Sequence, residues 1–308
     1  MRFLKSNNLK FVLKLTVSII LIFLIFCYIG INKVYNELLN ANFYYITAAL
    51  FAVTFQIILK AIRWKSIIQI FNKTINTKSS INYTLISLAF SIVTPGRVGE
   101  FIKAKYLVDK TEIGYLKSIS SVVIDKVFDI ITVILLGLVG LSFLQQNFLP
   151  SDYFVYALAA YIAALISIYI FLGKIHNVIT NFLPKKFKES FGKLRITRRF
   201  YIRSLIFSLF IWLTLSLQAF FVIKALSVQQ VSFYVIVVVV PLMAISSMIP
   251  VSLGGLGVRE VVAIYFLSLL GVPAEKSAIF SLLYTFLAFG IPAAIGAVLF
   301  LRRKRKFA

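Results

Sequence analysis

The chain has 308 residues, of which 60% are hydrophobic, and 30 residues are phenylalanine. A soluble fold does not need that much apolar surface, so the composition argues against a soluble globular protein and indicates a membrane protein. The formal net charge of +23 is also typical of nucleic-acid-binding proteins, but the distribution of the basic residues described below argues against that class.

One cysteine, Cys27, and one histidine, His176, limit covalent and metal chemistry. A single cysteine cannot form a disulfide within the chain, and a lone histidine is a poor basis for a zinc site. We therefore expect no metal and no other cofactor. Lysines precede the first apolar segment without a small-residue cleavage site after it, so we expect a retained helix, not a signal peptide.

Nine runs without charged residues follow one another along the chain. About 20 apolar residues are needed to cross a hydrocarbon core of about 30 Å. The six runs that qualify as spans are Leu15–Asn32, Leu38–Leu59, Ile130–Ser151, Tyr153–Gly173, Ser204–Ile223 and Ser277–Leu301.

The other three runs are interrupted or short. Ser79–Gly96 ends at Pro95-Gly96, and Ala225–Val258 is broken by the proline and glycines of "PVSLGGLG". Val261–Ala274 is too short to cross. Irregular backbone at membrane depth has to be buried in protein or line a wet cavity, because unpaired backbone groups cost several kcal/mol each in lipid.

The lysines and arginines indicate how the broken runs are placed. If each break dips into the membrane and returns to its own side, the cytoplasmic segments hold 27 basic residues and the outer ones hold 3. If each break crosses once, both sides hold 15. Basic residues collect on the cytoplasmic side, so the first arrangement is favoured. We expect a protein of the cell membrane with both termini in the cytoplasm.

The sequence therefore predicts an all-α polytopic membrane protein with a single domain over residues 1–308. Six helices span the membrane and two re-entrant helical hairpins enter it. Residues 11–144 contain the first repeat, with its hairpin at 79–108, and residues 153–301 contain the second, with its hairpin at 233–271. Three crossings per half invert the second repeat, and interrupted helices at matching positions of inverted halves point to the binding site of a transporter.

A new helix is predicted to begin at each break, near Arg97 and near Leu256. Helix starts carry free N–H groups and a partial positive charge, so two of them close together suit a phosphate or carboxylate. The arginines add bidentate donors, the glutamates tune them or bind an amino group or proton, and the glycines admit a ligand close to the backbone. The predicted binding residues at the two breaks are Pro95, Gly96, Arg97, Gly99, Glu100, Ser252, Gly254, Gly255, Gly257, Arg259 and Glu260. The alternative is that both breaks are interfacial loops with solvated ion pairs.

The stretch "VVIDKVFDI" supplies three further candidates, Asp125, Lys126 and Asp129. The two aspartates are four residues apart and share a helix face, where they either contact the substrate or lock the helix against a hairpin. Four carboxylates and three basic residues are predicted at membrane depth. This surplus of one negative charge would be balanced by a protonated carboxyl or by a cationic ligand group.

Arg63 and Trp64 lie at the cytoplasmic end of the second predicted span, where such pairs are most often interface anchors, although they are also candidates for the substrate site. The basic residues of 174–203 and the C-terminal "RRKRK" are expected to set the topology. They should also attract anionic lipids at the cytoplasmic face, by roughly 1 kcal/mol per residue. Nucleic acid is not an expected partner, and the oligomeric state is open, a homo-oligomer included.

At these motifs the sequence resembles the lysylphosphatidylglycerol synthase membrane region, also called the flippase-like domain. The resemblance covers essentially the whole chain. It is carried by Arg63-Trp64, "TPGRVGE" at 94–100, "DKVFD" at 125–129 and "PVSLGGLGVRE" at 250–260. The family more typically has Glu-Arg where this chain has Asp125-Lys126, so the charges are kept but the bidentate donor is not.

The resemblance implies lipid translocation: a flippase or scramblase that moves an anionic or aminoacylated phospholipid, or a polyprenyl-phosphate-linked sugar, between leaflets. The aminoacyltransferase domain of the fused family members is not expected here, so we expect a transporter and not an enzyme. An ion-coupled transporter of a soluble anion, a membrane enzyme acting on polyprenyl phosphates and a purely structural membrane partner are the alternatives.

Overall fold

The computed structural model describes residues 30–144, 197–247 and 255–304, together with Thr16, Phe23 and Cys27. Most of the first predicted span and the whole of the fifth lie outside the described residues, as do Ser252 and Gly254. The described part is helical and contains no strand. Its elements are α1 (Ile31–Leu39), α2 (Phe43–Gln69), α3 (Thr77–Ile92), a 3-10 helix (Pro95–Phe101), α4 (Ile102–Thr111), α5 (Tyr115–Leu144), α6 (Arg198–Ala225), α7 (Phe233–Ser246), α8 (Val258–Ser268), α9 (Ala274–Thr285), a π-helical turn (Phe286–Gly290) and α10 (Ile291–Lys304).

Three described stretches are long and apolar enough to cross a membrane: Phe43–Gln69, Arg198–Ala225 and Ala274–Arg303. They coincide with the second, sixth and last predicted spans, and the 30-residue α5 contains the start of the fourth. Asparagine side chains begin two of the helices, because Asn42 accepts a hydrogen bond from Tyr44 N and Asn76 accepts one from Ser79 N.

Helices α2 and α6 form the long antiparallel pair that defines the two ends of the protein. The N–H of Asn42, before α2, donates to the carbonyl oxygen of Ala225 at the end of α6, over 2.9 Å. At the other end, Gln69 of α2 and Thr197 before α6 line one surface groove. The 27 residues of α2 extend about 40 Å at 1.5 Å per residue, so the two ends are far apart.

Helices α3 and α4 form a hairpin at the Gln69 end. Lys65 Nζ donates to Thr77 Oγ1 over 3.1 Å, which places the start of α3 at that end. The rings of Tyr83 and Tyr106 stack with centroids 5.3 Å apart, so the two arms lie side by side. Arg303, at the end of α10, covers both rings. The chain therefore enters along α3, turns at the 3-10 helix and returns along α4.

Helices α7 and α8 form a second hairpin at the Ala225 end. Phe233, at the start of α7, contacts Phe220 of α6 with ring centroids 5.6 Å apart. After α8, Lys276 donates to the carbonyl oxygen of Leu226 over 3.1 Å, so the chain is back at the same end. The two hairpins thus point toward each other from opposite ends. The count of six spans, the insertion of the hairpins into a membrane and the inverted repeat stay predictions.

Candidate functional site

A cavity of about 290 Å³ lies where the tips of the two hairpins approach each other. Helices α2, α5, α6, α7 and α9 and the π-helical turn complete its wall. Its lining residues are Gln56, Lys60, Arg97, Glu100, Lys126, Asp129, Ile130, Ile211, Trp212, Leu215, Met243, Ala244, Ser247, Arg259, Tyr284 and Phe289.

Two arginines, one from each hairpin tip, face the same aromatic ring. The guanidinium carbon of Arg97 lies 4.2 Å from the centroid of Phe289, and that of Arg259 lies 5.0 Å from it. Both distances are within the range of a cation–π contact. Residues that are far apart in the sequence, in the two predicted breaks, are therefore brought to one point.

Local backbone irregularity places both the ring and the first arginine. Phe289 lies in a π-helical turn, in which Ile291 N–H donates to the carbonyl oxygen of Phe286, five residues earlier. Pro292 follows at once and has no N–H to continue the ordinary ladder. Arg97 has a left-handed backbone with φ of +56°. Non-glycine residues in this region are strained and cluster at functional sites.

The carboxylates that line the cavity already have cationic partners. Glu100 pairs with Lys126 through a 2.5 Å contact between Oε2 and Nζ. Asp129 Oδ1 accepts from Arg63 Nη1 over 2.7 Å, and Arg63 itself lies behind the cavity wall. Among the described residues, no carboxylate lies within ion-pair distance of Lys60 or Arg97.

Two buried N–H donors add to the site. The side-chain amide nitrogen of Gln56 and the indole nitrogen of Trp212 are buried and have no hydrogen-bond partner within the described part of the chain. Both residues line the cavity. A buried donor without a partner costs about 1–3 kcal/mol, so this wall is suited to a ligand or water that carries acceptor oxygens.

Arg63 belongs to a buried ion network, and its interpretation as an interface anchor is wrong. Its side chain is 1% exposed. It donates to Asp125 Oδ1 over 2.9 Å, to Asp129 and to Ser208 Oγ over 2.6 Å. Lys103 Nζ donates to the second Asp125 oxygen over 2.6 Å. Asp125 is therefore engaged in holding α2, α4 and α5 together, while Asp129 and Lys126 also line the cavity.

The interpretation as an interface anchor is also wrong for Trp64. It is fully buried, its indole N–H donates to Ser121 Oγ over 3.2 Å, and the Lys103 ammonium lies 4.9 Å from its ring centroid. Helix α2 turns this part of the "AIRWKS" motif toward the protein interior. Trp64 packs beside the ion network and does not line the cavity.

The charge balance predicted from the sequence also needs correction. The expected surplus of one negative charge counted three basic residues at depth, because Lys60, Arg63 and Lys103 were assigned to cytoplasmic segments. The structure places Lys60 at the cavity and buries Arg63 and Lys103. Six cations therefore accompany four carboxylates in the described interior, and the surplus is positive.

Glu260 and the glycines have packing roles in the structure. Glu260 is fully buried, does not line the cavity, and accepts a hydrogen bond from Gly257 N over 2.6 Å, which caps α8.

A Cβ atom on Gly99 would lie 2.1 Å from the carbonyl oxygen of Phe90, so this glycine lets the first hairpin close. Gly255 and Gly257 have positive φ. Pro95 and Gly96 begin the 3-10 helix.

The helix starts offer fewer free N–H groups than expected. At the first tip the N–H of Gly99 donates to Thr94 Oγ1 over 2.7 Å, and at the second the N–H of Gly257 is taken by Glu260. The partial positive charge of the helix ends remains. Side-chain cations are therefore the main groups of the cavity that could bind an anion.

Sequence reasoning missed several residues of the site. Gln56, Lys60 and Arg63 are spaced by four and three residues, which puts them on one face of an otherwise apolar helix. That pattern could have identified Lys60. Phe289 and Trp212 carry no comparable signal, because an aromatic residue in an apolar run is most simply lipid-facing surface.

The long apolar helices and the charged interior define the chain as a multi-pass α-helical membrane protein. Residues 11–296 match the family described as the lysylphosphatidylglycerol synthase TM region, and the chain belongs to this family. It is similar to the UPF0104 membrane protein MJ1595 of Methanocaldococcus jannaschii, with 27% identity over 98% of each chain. It is also similar to the UPF0104 membrane protein PH1989 of Pyrococcus horikoshii, with 21% identity over 96% of this chain and 98% of the relative.

Proposed function

We propose that the protein is a lipid flippase or scramblase that binds a headgroup phosphate between the tips of its two hairpins. The observation that carries the proposal is the pair of guanidinium groups, Arg97 and Arg259, held around one ring beside a cavity of about 290 Å³. The substrate is an anionic or aminoacylated phospholipid or a polyprenyl-phosphate-linked sugar. Family membership supports a role in lipid chemistry.

The physical argument is that charge at membrane depth is expensive and is usually functional. Arginine suits phosphate because its planar fork donates two parallel hydrogen bonds. Arg97 faces an aromatic ring and not a carboxylate, so its hydrogen-bonding capacity is not consumed by a structural ion pair. The headgroup would enter the cavity while the acyl or prenyl chains stay in the lipid.

The proposed activity is transport and breaks no covalent bond. The protein would act in the cell membrane with both termini in the cytoplasm. An ion-coupled carrier of a soluble anion could use the same cations, and the reconstitution below separates the two, because a carrier of that kind does not move labelled lipid. A membrane enzyme acting on polyprenyl phosphates would instead release a product from the purified protein.

The test is transbilayer movement of fluorescent lipid in liposomes that contain the purified protein, read with a membrane-impermeant quencher. We expect Arg97→Gln to slow this movement by about tenfold or more, because a hydrogen bond to a charged group contributes roughly 1.5–3 kcal/mol. The matched control is Arg203→Gln. Arg203 is exposed near the start of α6 and does not line the cavity.

Wild-type rates equal to those of protein-free liposomes would contradict the proposal. So would an equal rate in Arg97→Gln and wild type. A loss of activity in Arg203→Gln as large as that in Arg97→Gln would show that net charge, and not the cavity, governs the movement.

A further inference from the structure

We infer that the cavity selects a lipid headgroup that ends in a phosphate monoester, in preference to a phosphodiester or an aminoacylated headgroup. This inference rests on the proposed function and names its substrate class. The chemistry is that of a terminal phosphate on a lipid, as in phosphatidic acid or a polyprenyl monophosphate.

The charge of the described interior is the first reason. Its six cations exceed its four carboxylates by two positive charges. The sequence between Ser247 and Gly255 contains no ionisable residue, so the second hairpin tip does not change this balance. A phosphate monoester carries about −1.5 to −2 at pH 7, whereas a phosphodiester carries one negative charge. The monoester therefore comes nearer to neutralising the interior.

The number of donors is the second reason. Lys60, Arg97 and Arg259 bring cationic groups to the cavity from three separate elements: α2, the 3-10 helix and α8. A fourth lining cation, Lys126, is already paired with Glu100. A phosphate monoester has three terminal oxygens, one for each of the other three cations, whereas a diester has two. The partnerless N–H groups of Gln56 and Trp212 add further donors to the same wall. An acceptor-rich, donor-free group suits this lining.

The state of the carboxylates argues against an aminoacylated headgroup. Such a headgroup brings an ammonium group, which needs a carboxylate partner. The two carboxylates that line the cavity are Glu100, paired with Lys126, and Asp129, paired with Arg63. An incoming ammonium would have to displace a cation at 2.5 or 2.7 Å. Within the described lining, no carboxylate is left over for it.

The experiment measures ligand binding to the purified protein in detergent by tryptophan fluorescence. The chain has two tryptophans, and Trp212 lines the cavity, so its emission should report occupancy, and Trp212→Phe should lose that signal. The probes are short-chain phosphatidic acid, phosphatidylglycerol, lysylphosphatidylglycerol and inorganic phosphate. We expect phosphatidic acid to bind about tenfold or more tightly than the other lipids, a difference of about 1.4 kcal/mol.

Lys60→Gln removes the third cation and tests the assignment directly. We expect this variant to lose most of the preference for phosphatidic acid over phosphatidylglycerol, and Lys60→Arg to keep it. Arg203→Gln, outside the cavity, should bind like wild type. Melting temperatures of all variants are measured in parallel, so that a folding defect is not taken for a loss of binding.

Equal binding of phosphatidic acid and phosphatidylglycerol would overturn the inference, as would tighter binding of lysylphosphatidylglycerol. If inorganic phosphate bound as tightly as phosphatidic acid, the ligand would be a soluble anion and not a lipid. These outcomes differ from failure of the proposed function. A protein that moves lipid without this preference refutes only the inference, and one that binds phosphatidic acid selectively but moves no lipid refutes the transport.

Discussion

Arg63 joins three helices through hydrogen bonds that lie almost entirely out of solvent. It extends from α2 to two aspartates of α5 and to Ser208 of α6. Burying an ion pair is expensive, and its net contribution to stability can be small. Removing one partner is strongly destabilising, because the opposite charge is then left buried without compensation. The protein can therefore pack these three helices together only if every charge of the network keeps its partner.

We predict that Arg63→Gln destabilises the protein by about 3–5 kcal/mol, the usual cost of breaking a buried pair. The measurement is unfolding by denaturant or heat in detergent. The matched control is Lys33→Gln, which removes a cation from an exposed pair between Lys33 and Glu275. The hydrogen bond between the two side chains raises the pKa of the Lys33 ammonium and lowers the pKa of the Glu275 carboxyl, so both groups are charged at neutral pH. An equal effect of the two variants would contradict the distinction between buried and exposed pairs.

The arginines of the site were accessible to sequence reasoning, whereas the partners of the interior charges were not. Arg97 and Arg259 lie within glycine-rich breaks of apolar runs. A charged residue in such a position is usually functional, so the sequence alone singles out both arginines. Nothing in the order of residues shows that Lys103 meets Asp125 or that Arg63 meets the same aspartate. Those contacts depend on how three helices are rotated about their own axes, which is decided by packing between them.

The absence of a Cβ atom at Gly99 allows the 3-10 helix of the first hairpin to pack against α3. The 3-10 helix at the tip of the first hairpin lies so close to α3 that a Cβ on Gly99 would lie 2.1 Å from the carbonyl oxygen of Phe90. Such a contact cannot be relieved by rotating a side chain, since the neighbour is backbone. The tip that carries Arg97 must therefore move if a side chain is introduced at this position.

We predict that Gly99→Ala destabilises the protein by about 1–3 kcal/mol, the cost of overpacking, and weakens phosphatidic acid binding. The control is Gly114→Ala, since a Cβ there has no neighbour within 4 Å. Thermal unfolding and the Trp212 fluorescence titration provide the measurements. Unchanged values in both assays for Gly99→Ala would show that the space between the 3-10 helix and α3 is larger than the structure indicates.

The position of the break in the first hairpin was predictable from the sequence, but the conformation of its tip was not. The prediction of 79–108 for the first corresponds to arms at Thr77–Ile92 and Ile102–Thr111, because Pro95-Gly96 ends the apolar run and marks the turn. The 3-10 conformation of residues 95–101 was not predicted. Neither was the π-helical turn at Phe289. Both depend on a balance between hydrogen-bond patterns that differ by one residue, which tertiary contacts decide.

At the scale of the whole molecule, contacts group the loops into two sets. The segments before α2, after α6 and before α9 meet at one end, through Asn42, Ala225 and Lys276. The segment after α2 and the start of α6 meet at the other. This grouping agrees with the assignment of loops to two sides by their basic residues. Which side faces the cytoplasm stays a prediction, made from the charge distribution alone.

Cysteine labelling tests the two hairpins and the orientation together, in a Cys27→Ser background. The first pair of sites, Thr74→Cys and Gly114→Cys, flanks the first hairpin. The second pair, Gln230→Cys and Ser268→Cys, flanks the second, and all four positions are exposed. With an impermeant reagent added to intact cells, we expect both members of the second pair to react and neither member of the first. Opposite reactivity within a pair would mean that the element crosses the membrane.

The ring of Phe289 is a contact shared by the tips of the two hairpins. Each hairpin tip contributes one guanidinium to it, and the attraction between a cation and an aromatic ring falls off within about 6 Å. A tip that withdraws gives up that attraction and leaves more of the ring to the other arginine. A displacement of either hairpin tip would therefore change the surroundings of the arginine on the other tip, because both guanidinium groups contact the same phenyl ring.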